Sequence, residues 1–407
     1  MAQVTLALGC FSNASSHASH PNVVQRSPFV ASMLPMLALF LIVVLTVFVQ
    51  ATAAGLSLRG GKLSTALDEM SLVYERESRN ADKREGRGSK GPHSAEAQDQ
   101  VNVVYFIEGT KWAAGLQKSV ASILKNTMHG SLLHVQVFVF DQEDLSAICH
   151  LFGMKTSHTA CTARFRSRSR LTVRMMPQSA INWVEVVMTK NFTDFDGDST
   201  NTRLKSLANF GRFALAKVLP SSSQVAVCLD VDTLVVGDIV ELAQGAMQSF
   251  PKASVMMSDR PPYNKQTMEI AIANKTYADL HIQKELRNST MFNAGMMVIN
   301  LPRWRSGEAL GRMLKWMSLS TSRHLFFGGN QAAIDMGLLG TEDLGVLSWQ
   351  WHCFNLSHLT RDSVGQCKMF HFSGAAKPWS SMNFTNPVME EVRRRWDSFP
   401  TDLSHLS

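Results

Sequence analysis

Two carboxylates, Asp230 and Asp232, stand one residue apart in Leu229-Asp230-Val231-Asp232-Thr233, directly after the apolar run Gln224 to Leu229. In extended chain, residues two apart point to the same side, so both carboxylates can converge on one cation. Two hard oxygen ligands suit Mn²⁺, with Mg²⁺ as the alternative, because such ions keep open positions for the phosphate oxygens of a substrate. Without a cation, two acids at the end of a buried strand repel each other. An Asp-x-Asp pair is also common as a strand-end turn with both acids in water, and the pair alone leaves these two readings level. The six cysteines include no Cys-x-x-Cys pair, which argues against a zinc site of that type.

The acids need a frame, and the flanking pattern supplies one. Val101 to Ile107 and Leu132 to Phe140 are short apolar runs of buried-strand type. Between them, Ala113, Leu116, Val120, Ile123 and Leu124 recur at helical spacing within Trp112 to Lys125, and Asp141 to Leu151 is a second candidate helix. Arg203 to Leu219 reads as a helix that ends at Pro220 and leads into the strand before Asp230. Val255 to Met257, Met296 to Ile299 and Met369 to Phe372 are further strand candidates; Arg303 to Met317 and the segment from Asn386 onward read as helices. Alternating strands and helices predict an α/β fold around a layered, mostly parallel central sheet.

The chain divides into a short tail (1–28), an apolar segment (29–49), a polar stem (50–100) and a globular region (101–400). Phe29 to Val49 carries no charge, and as a helix rising about 1.5 Å per residue it spans a bilayer core of roughly 30 Å. It reads as a single-pass type II anchor that holds 101–400 in the lumen of the endoplasmic reticulum or Golgi. The small residues Ala51 to Gly55 keep the alternative of a cleaved signal and a secreted protein open. Acceptor tripeptides at Asn191, Asn274, Asn288, Asn355 and Asn383 fit a lumenal placement. So do Cys149 with Cys161 and Cys353 with Cys367, whose spacing allows two short-loop disulfides, whereas Cys228 lies in an apolar run and reads as a buried thiol. A hydrophobic content of 45% is enough to bury a large core. The net charge of +7 gathers partly in Arg164 to Arg174 and Arg393 to Arg395, with no basic stripe interleaved with aromatics, so nucleic acid is not an expected partner.

Around the two acids the sequence resembles a known family. Cys228 to Leu242 (CLDVDTLVVGDIVEL) is similar to the metal-binding segment of glycosyltransferase family 8, which includes glycogenin, bacterial lipopolysaccharide galactosyltransferases and plant galacturonosyltransferase-like proteins. Asn209 to Pro220 (NFGRFALAKVLP), Met291 to Arg305 (MFNAGMMVINLPRWR) and His371 to Trp379 (HFSGAAKPW) resemble further segments of that family in the same order. The resemblance, covering about Val101 to Trp379, implies a GT-A type nucleotide-sugar-binding domain. It also implies sugar transfer with retention of configuration, from a UDP-type donor to a glycan or glycoconjugate acceptor.

Residue by residue, the resemblance implies His371 as third metal ligand and Lys377 as a cation on the donor diphosphate. Gly374 would admit backbone close to that diphosphate. Arg212 would sit on the donor phosphate or sugar, with Lys205 a further donor-site candidate; Asn293 would bond sugar hydroxyls and Asp259 would contact the sugar. Two departures stand out. Phe106 to Trp112 (FIEGTKW) has Gly109 and Thr110 where relatives often carry acids, leaving Glu108 as the candidate for the nucleotide. Asn330 replaces an acid before Gln331, which would lie against the sugar's reactive face. Double displacement requires a carboxylate nucleophile, and with Asn330 at the candidate position front-face substitution is expected. The rival readings are a silent sugar-binding or scaffold protein of the same fold and, less favoured, a glycoside hydrolase. The sequence leaves the oligomeric state open.

Overall fold

Val101–Ile107 forms β1, and every one of its residues is buried. Alternate side chains explain why: Val101, Val103, Tyr105 and Ile107 enter one core, and Val104 and Phe106 enter another on the opposite face. The first core is closed by the helices Ala113–Asn126 and Gln142–Leu151, through Leu116, Val120, Ile123, Leu145 and Ile148. The second is closed by Val184 of the helix Gln178–Asn191, by Phe210, Phe213 and Leu215, and by Met313 and Ile334 of the helices Glu308–Arg323 and Gln331–Leu338. Asp141 starts the second helix, its side chain accepting the Asp144 N–H at 2.7 Å.

These observations come from a computed structural model. It describes residues 100–165, 167–191, 206–272, 282, 284–323, 325, 330–374, 377–380, 386–401 and 403. The expected tail and anchor, the stem up to residue 99, and Lys205 lie outside the described residues. No described helix is long and apolar enough to cross a membrane.

The remaining strands are β2 (Leu133–Val139), β3 (Ala160–Arg164), β4 (Arg170–Met175), β5 (Val225–Leu229), β6 (Thr233–Val235), β7 (Val255–Ser258), β8 (Met296–Asn300), β9 (Leu344–Leu347) and β10 (Met369–His371). Eight of them form one mixed sheet, in the order β3-β4-β2-β1-β5-β8-β7-β9. The pairs β4–β2, β2–β1, β1–β5 and β7–β9 are parallel, and β3–β4, β5–β8 and β8–β7 are antiparallel. The expected α/β architecture is therefore present, with parallel pairs in a small majority. The strands β6 and β10 pair separately and antiparallel, with His371 opposite Thr233.

Local periodicity misplaces two features. The helix expected over Arg203 to Leu219 is broken among its described residues into Leu207–Gly211, a 3-10 turn Arg212–Ala214, and Leu215–Val218. The break coincides with the inward turn of the Arg212 side chain. The helix expected over Arg303 to Met317 is two helices, Leu301–Arg305 and Glu308–Arg323, separated at Ser306-Gly307. The basic stretch Arg164 to Arg174 spans the β3–β4 hairpin. Its counterpart at Arg393 to Arg395 lies on the helix Pro387–Asp397, where Arg393 pairs with Glu390 and Asp397 and Arg395 pairs with Glu391. Both expected disulfides form, Cys149–Cys161 and Cys353–Cys367, and Cys228 is free and buried.

Candidate functional site

A cavity of about 890 Å³ opens where β1 and β5 end. Of the residues singled out in the sequence, Glu108, Arg212, Asp230, Asp232, Asn293, Gln331, His371, Gly374 and Lys377 line it. Asp259 does not: it is exposed, and its carboxylate accepts the Arg260 backbone N–H at 2.8 Å.

Asp230 and Asp232 follow β5, and the β6–β10 pairing carries His371 to them across more than a hundred residues of sequence. His371 Nε2 lies 3.3 Å from Asp232 Oδ1 and 3.7 Å from Asp230 Oδ2. The outer oxygens of the two acids are taken by cations. Arg212 Nη2 donates to Asp230 Oδ1 at 2.9 Å, and Lys377 Nζ donates to Asp232 Oδ2 and, at 2.8 Å, to the Phe372 carbonyl. One ligand atom from each of Asp230, Asp232 and His371 therefore falls within 4.8 Å of the other two. Two carboxylate oxygens and one imidazole nitrogen beside a cavity fit a divalent cation of the Mn²⁺ or Mg²⁺ kind.

The electrostatics agree with this arrangement. Burial alone would favour the neutral acid of Asp232, but His371 and Lys377 together outweigh it and hold the carboxyl well below the usual carboxylate range. Burial likewise opposes the charge of Arg212, and Asp230 beside it more than offsets this, so the guanidinium's pKa is raised. Arg212 also donates to the Ala294 carbonyl. It thus ties Asp230 to the loop that precedes β8.

That loop, Phe292 to Gly295, is braced from several sides. The Ala294 N–H donates to Gln331 Oε1 at 2.5 Å, and Gln331 Nε2 donates to Asp335 Oδ1 at 3.2 Å. The Phe292 N–H donates to Asp335 Oδ2 at 3.1 Å, and Arg260 Nε donates to the Met291 carbonyl. Gln331 borders the cavity with its amide already engaged, so in this structure it acts as a strut. Burial pushes Asp335 up to about 8, against the opposing effects of Gln331, the Phe292 N–H and Arg260. Asn293 Oδ1 accepts the Gly295 N–H at 2.8 Å. Gly295 itself is required by contact, because a Cβ there would stand 2.2 Å from His371 Cε1.

On the opposite wall, Glu108 reaches the Ala208 N–H at 3.4 Å, and Asp144 accepts the Gly109 N–H at 2.7 Å. Asp144, of the helix Gln142–Leu151, thus braces the β1 loop from behind and does not line the cavity. Trp379 packs edge-on against Trp112 and beside Trp396, which anchors the segment carrying Lys377. Gly374 has φ +92 with open space around its Cβ direction among the described residues, so its backbone conformation, more than crowding, calls for glycine.

Sequence reasoning missed Asp335, Asp144 and His352. The buried His352 ring bonds His371, with Nε2 and Nδ1 2.9 Å apart. Burial first, and His371 next, push His352 well below the usual histidine range, so its ring is neutral. The one sequence signal for it is its position directly before Cys353, just outside the loop that the Cys353–Cys367 disulfide closes.

The sequence also matches known proteins. The sequence model of the family described as Glycosyl transferase family 8 matches residues 96–383. Probable galacturonosyltransferase-like 4 of Arabidopsis thaliana is 26% identical over 210 residues, covering 49% of this chain and 56% of that protein. Probable galacturonosyltransferase-like 2 of the same plant is 26% identical over 294 residues, covering 67% and 76%. The chain thus spans between half and about three quarters of the length of these curated relatives. Among solved structures, the galactosyltransferase LgtC in complex with donor and acceptor sugar analogs is similar at 14% identity and a TM-score of 0.49, covering 73% of this chain and 94% of that one.

Proposed function

The chain belongs to glycosyl transferase family 8, and we propose that it transfers a sugar, with retention of configuration, from a UDP-type donor to a glycan or glycoconjugate acceptor. The observation that carries this reading is the meeting of Asp230, Asp232 and His371 beside Arg212 and Lys377 at the mouth of one cavity. Asp230, Asp232 and His371 would hold Mn²⁺ or Mg²⁺, which supplies charge neutralisation to the donor diphosphate.

The protein's own groups do the rest. Arg212 fixes the Asp230 carboxylate from outside the triad. Lys377, held between Asp232 and the Phe372 carbonyl, is a point charge on the cavity wall, and it stabilises the leaving diphosphate as negative charge grows there. Gln331 and Asp335 are committed to the loop before β8 and to each other, which leaves neither poised as a nucleophile beneath the sugar. This supports front-face substitution, in which the departing diphosphate helps take the proton of the acceptor hydroxyl. The galacturonosyltransferase-like names of two relatives support a hexose or hexuronic acid as the transferred sugar.

Purified full-length protein should hydrolyse a UDP-sugar slowly when Mn²⁺ is present and stop when the ion is chelated; no ion-dependent hydrolysis across a donor panel would sink the reading. The proposed placement is a lumenal domain on an N-terminal membrane anchor. Glycosidase should then reduce the mass of the expressed protein while Asn13, in the acceptor tripeptide Asn13-Ala14-Ser15 of the tail before the apolar segment, remains unmodified; a glycan on Asn13 would reverse the orientation.

A further inference from the structure

We infer that His352 is the positioning residue of the metal centre: its ring fixes the tautomer and orientation of His371, so that with a cation bound a bare Nε2 faces Asp230 and Asp232. This rests on the metal reading above. His371 Nε2 is the atom nearest the carboxylates, at 3.3 and 3.7 Å. A neutral imidazole binds a cation through its unprotonated nitrogen, so the ring proton must sit on Nδ1 and needs an acceptor there. His352 Nε2, at 2.9 Å, is that acceptor.

Its own placement is tightly determined. The two rings meet edge to edge through that bond, 5.0 Å between centroids and 12° between planes, and Phe354 packs on His352 at 5.1 Å. The His352 N–H bonds the Trp349 carbonyl at 3.0 Å. The neighbouring Cys353 is in disulfide with Cys367, and its carbonyl accepts the His371 N–H at 2.8 Å. The two histidines therefore ride on directly bonded backbone, and Gly295 lets the loop before β8 close over the His371 ring.

Two features separate this pairing from ordinary core packing. His352 Nδ1 is buried without a hydrogen-bond partner among the described residues. When His371 carries its proton on Nδ1, the proton of His352 must occupy that orphaned position, a cost that packing alone does not explain. The acceptor is also uncharged. Metal-bound histidines commonly lean on a carboxylate, but a third acid here would add negative charge beside Asp230 and Asp232. An imidazole accepts the proton and leaves the charge of the triad unchanged.

The test measures Mn²⁺ affinity of the full-length protein in detergent from the resonance signal of free Mn²⁺, together with the melting temperature. His352→Phe keeps an aromatic ring against Phe354 and removes the acceptor, and it should weaken Mn²⁺ binding by about 10- to 100-fold. His352→Gln, which keeps an acceptor oxygen, should lie closer to wild type. Nitrogen-15 NMR of histidine-labelled wild type with saturating Mg²⁺ reads the tautomers without any mutation, and should show His371 protonated on Nδ1 and His352 bare on Nε2. Wild-type affinity in folded His352→Phe, or the opposite tautomers, overturns the role of His352 alone. Failure of the wild-type protein to bind Mn²⁺ or Mg²⁺ overturns the metal reading and this inference with it.

Discussion

A polar cluster stands toward the starts of β1, β2 and β4 and another beyond the end of β5, and only the second is built to react. Toward the starts of β1, β2 and β4, Gln136 Nε2 donates to Asn102 Oδ1 at 2.6 Å, and Arg170 Nη2 donates to His134 Nδ1 at 2.8 Å. His134 Nε2 then meets Thr172 Oγ1 at 3.0 Å. Burial, followed by Arg170 and Arg174, pushes His134 down to about 3. At the other end His352 is neutral for the same main reason. A strongly shifted histidine is therefore not in itself the mark of a site. The starting-end cluster has no carboxylate, lies off the cavity, and turns its hydrogen bonds inward. The finishing-end cluster places two carboxylates with their inner oxygens toward one imidazole, at the edge of open space.

The sharpest way to break this contrast is Asp232→Asn, which removes a charged ligand and leaves the fold. Ion-dependent donor turnover should fall on the order of a thousandfold, while a cooperative melt at a somewhat lower temperature, Lys377 having lost its buried partner, shows the variant still folded. Full turnover in a folded variant would dissolve the distinction between the two ends. Lys377→Ala should cost about 3 kcal/mol of transition-state stabilisation, on the order of a hundredfold in rate at saturating donor, with a smaller effect on donor affinity. Lys377→Arg should recover little, because a forked guanidinium does not reproduce a compact ammonium.

Asp335 provides a stability test. Its folded value of about 8 lies above the ordinary 3.8, so between these values the folded state keeps a proton that the unfolded state releases. The stability this proton contributes is complete below about pH 4 and is lost as pH rises through about 8. Thermal melts of wild type and Asp335→Asn should show the wild type losing ground across that window; a constant difference would mean the carboxyl is not held neutral. The smallest effect is expected at the starting end. His134→Phe strands Arg170 and Thr172 and should cost about 1–3 kcal/mol in denaturant unfolding, while donor turnover per folded molecule stays at the wild-type rate.

Much of this protein could be read along the chain, because burial writes itself locally. The uncharged runs at β1, β2, β5 and β8, the helix over Ala113–Asn126, the Asp-x-Asp pair at a strand end and both disulfide pairings all follow from spacing and residue type. Arg212, His371 and Lys377 were reached through their resemblance to family segments, and the structure brings all three to the two acids. The folded chain alone decided what those residues touch. It turned Arg212 onto Asp230, committed Gln331 to Asp335 and the Ala294 N–H, left Asp259 outside the cavity, and set His352 behind His371. The physical reason lies in the range of the forces. Apolar periodicity records which face of an element is buried, a property of a few neighbouring residues. The partner of a buried polar group is set by cross-strand register and helix packing, as where β6 meets β10, and that information is spread over residues more than a hundred positions apart.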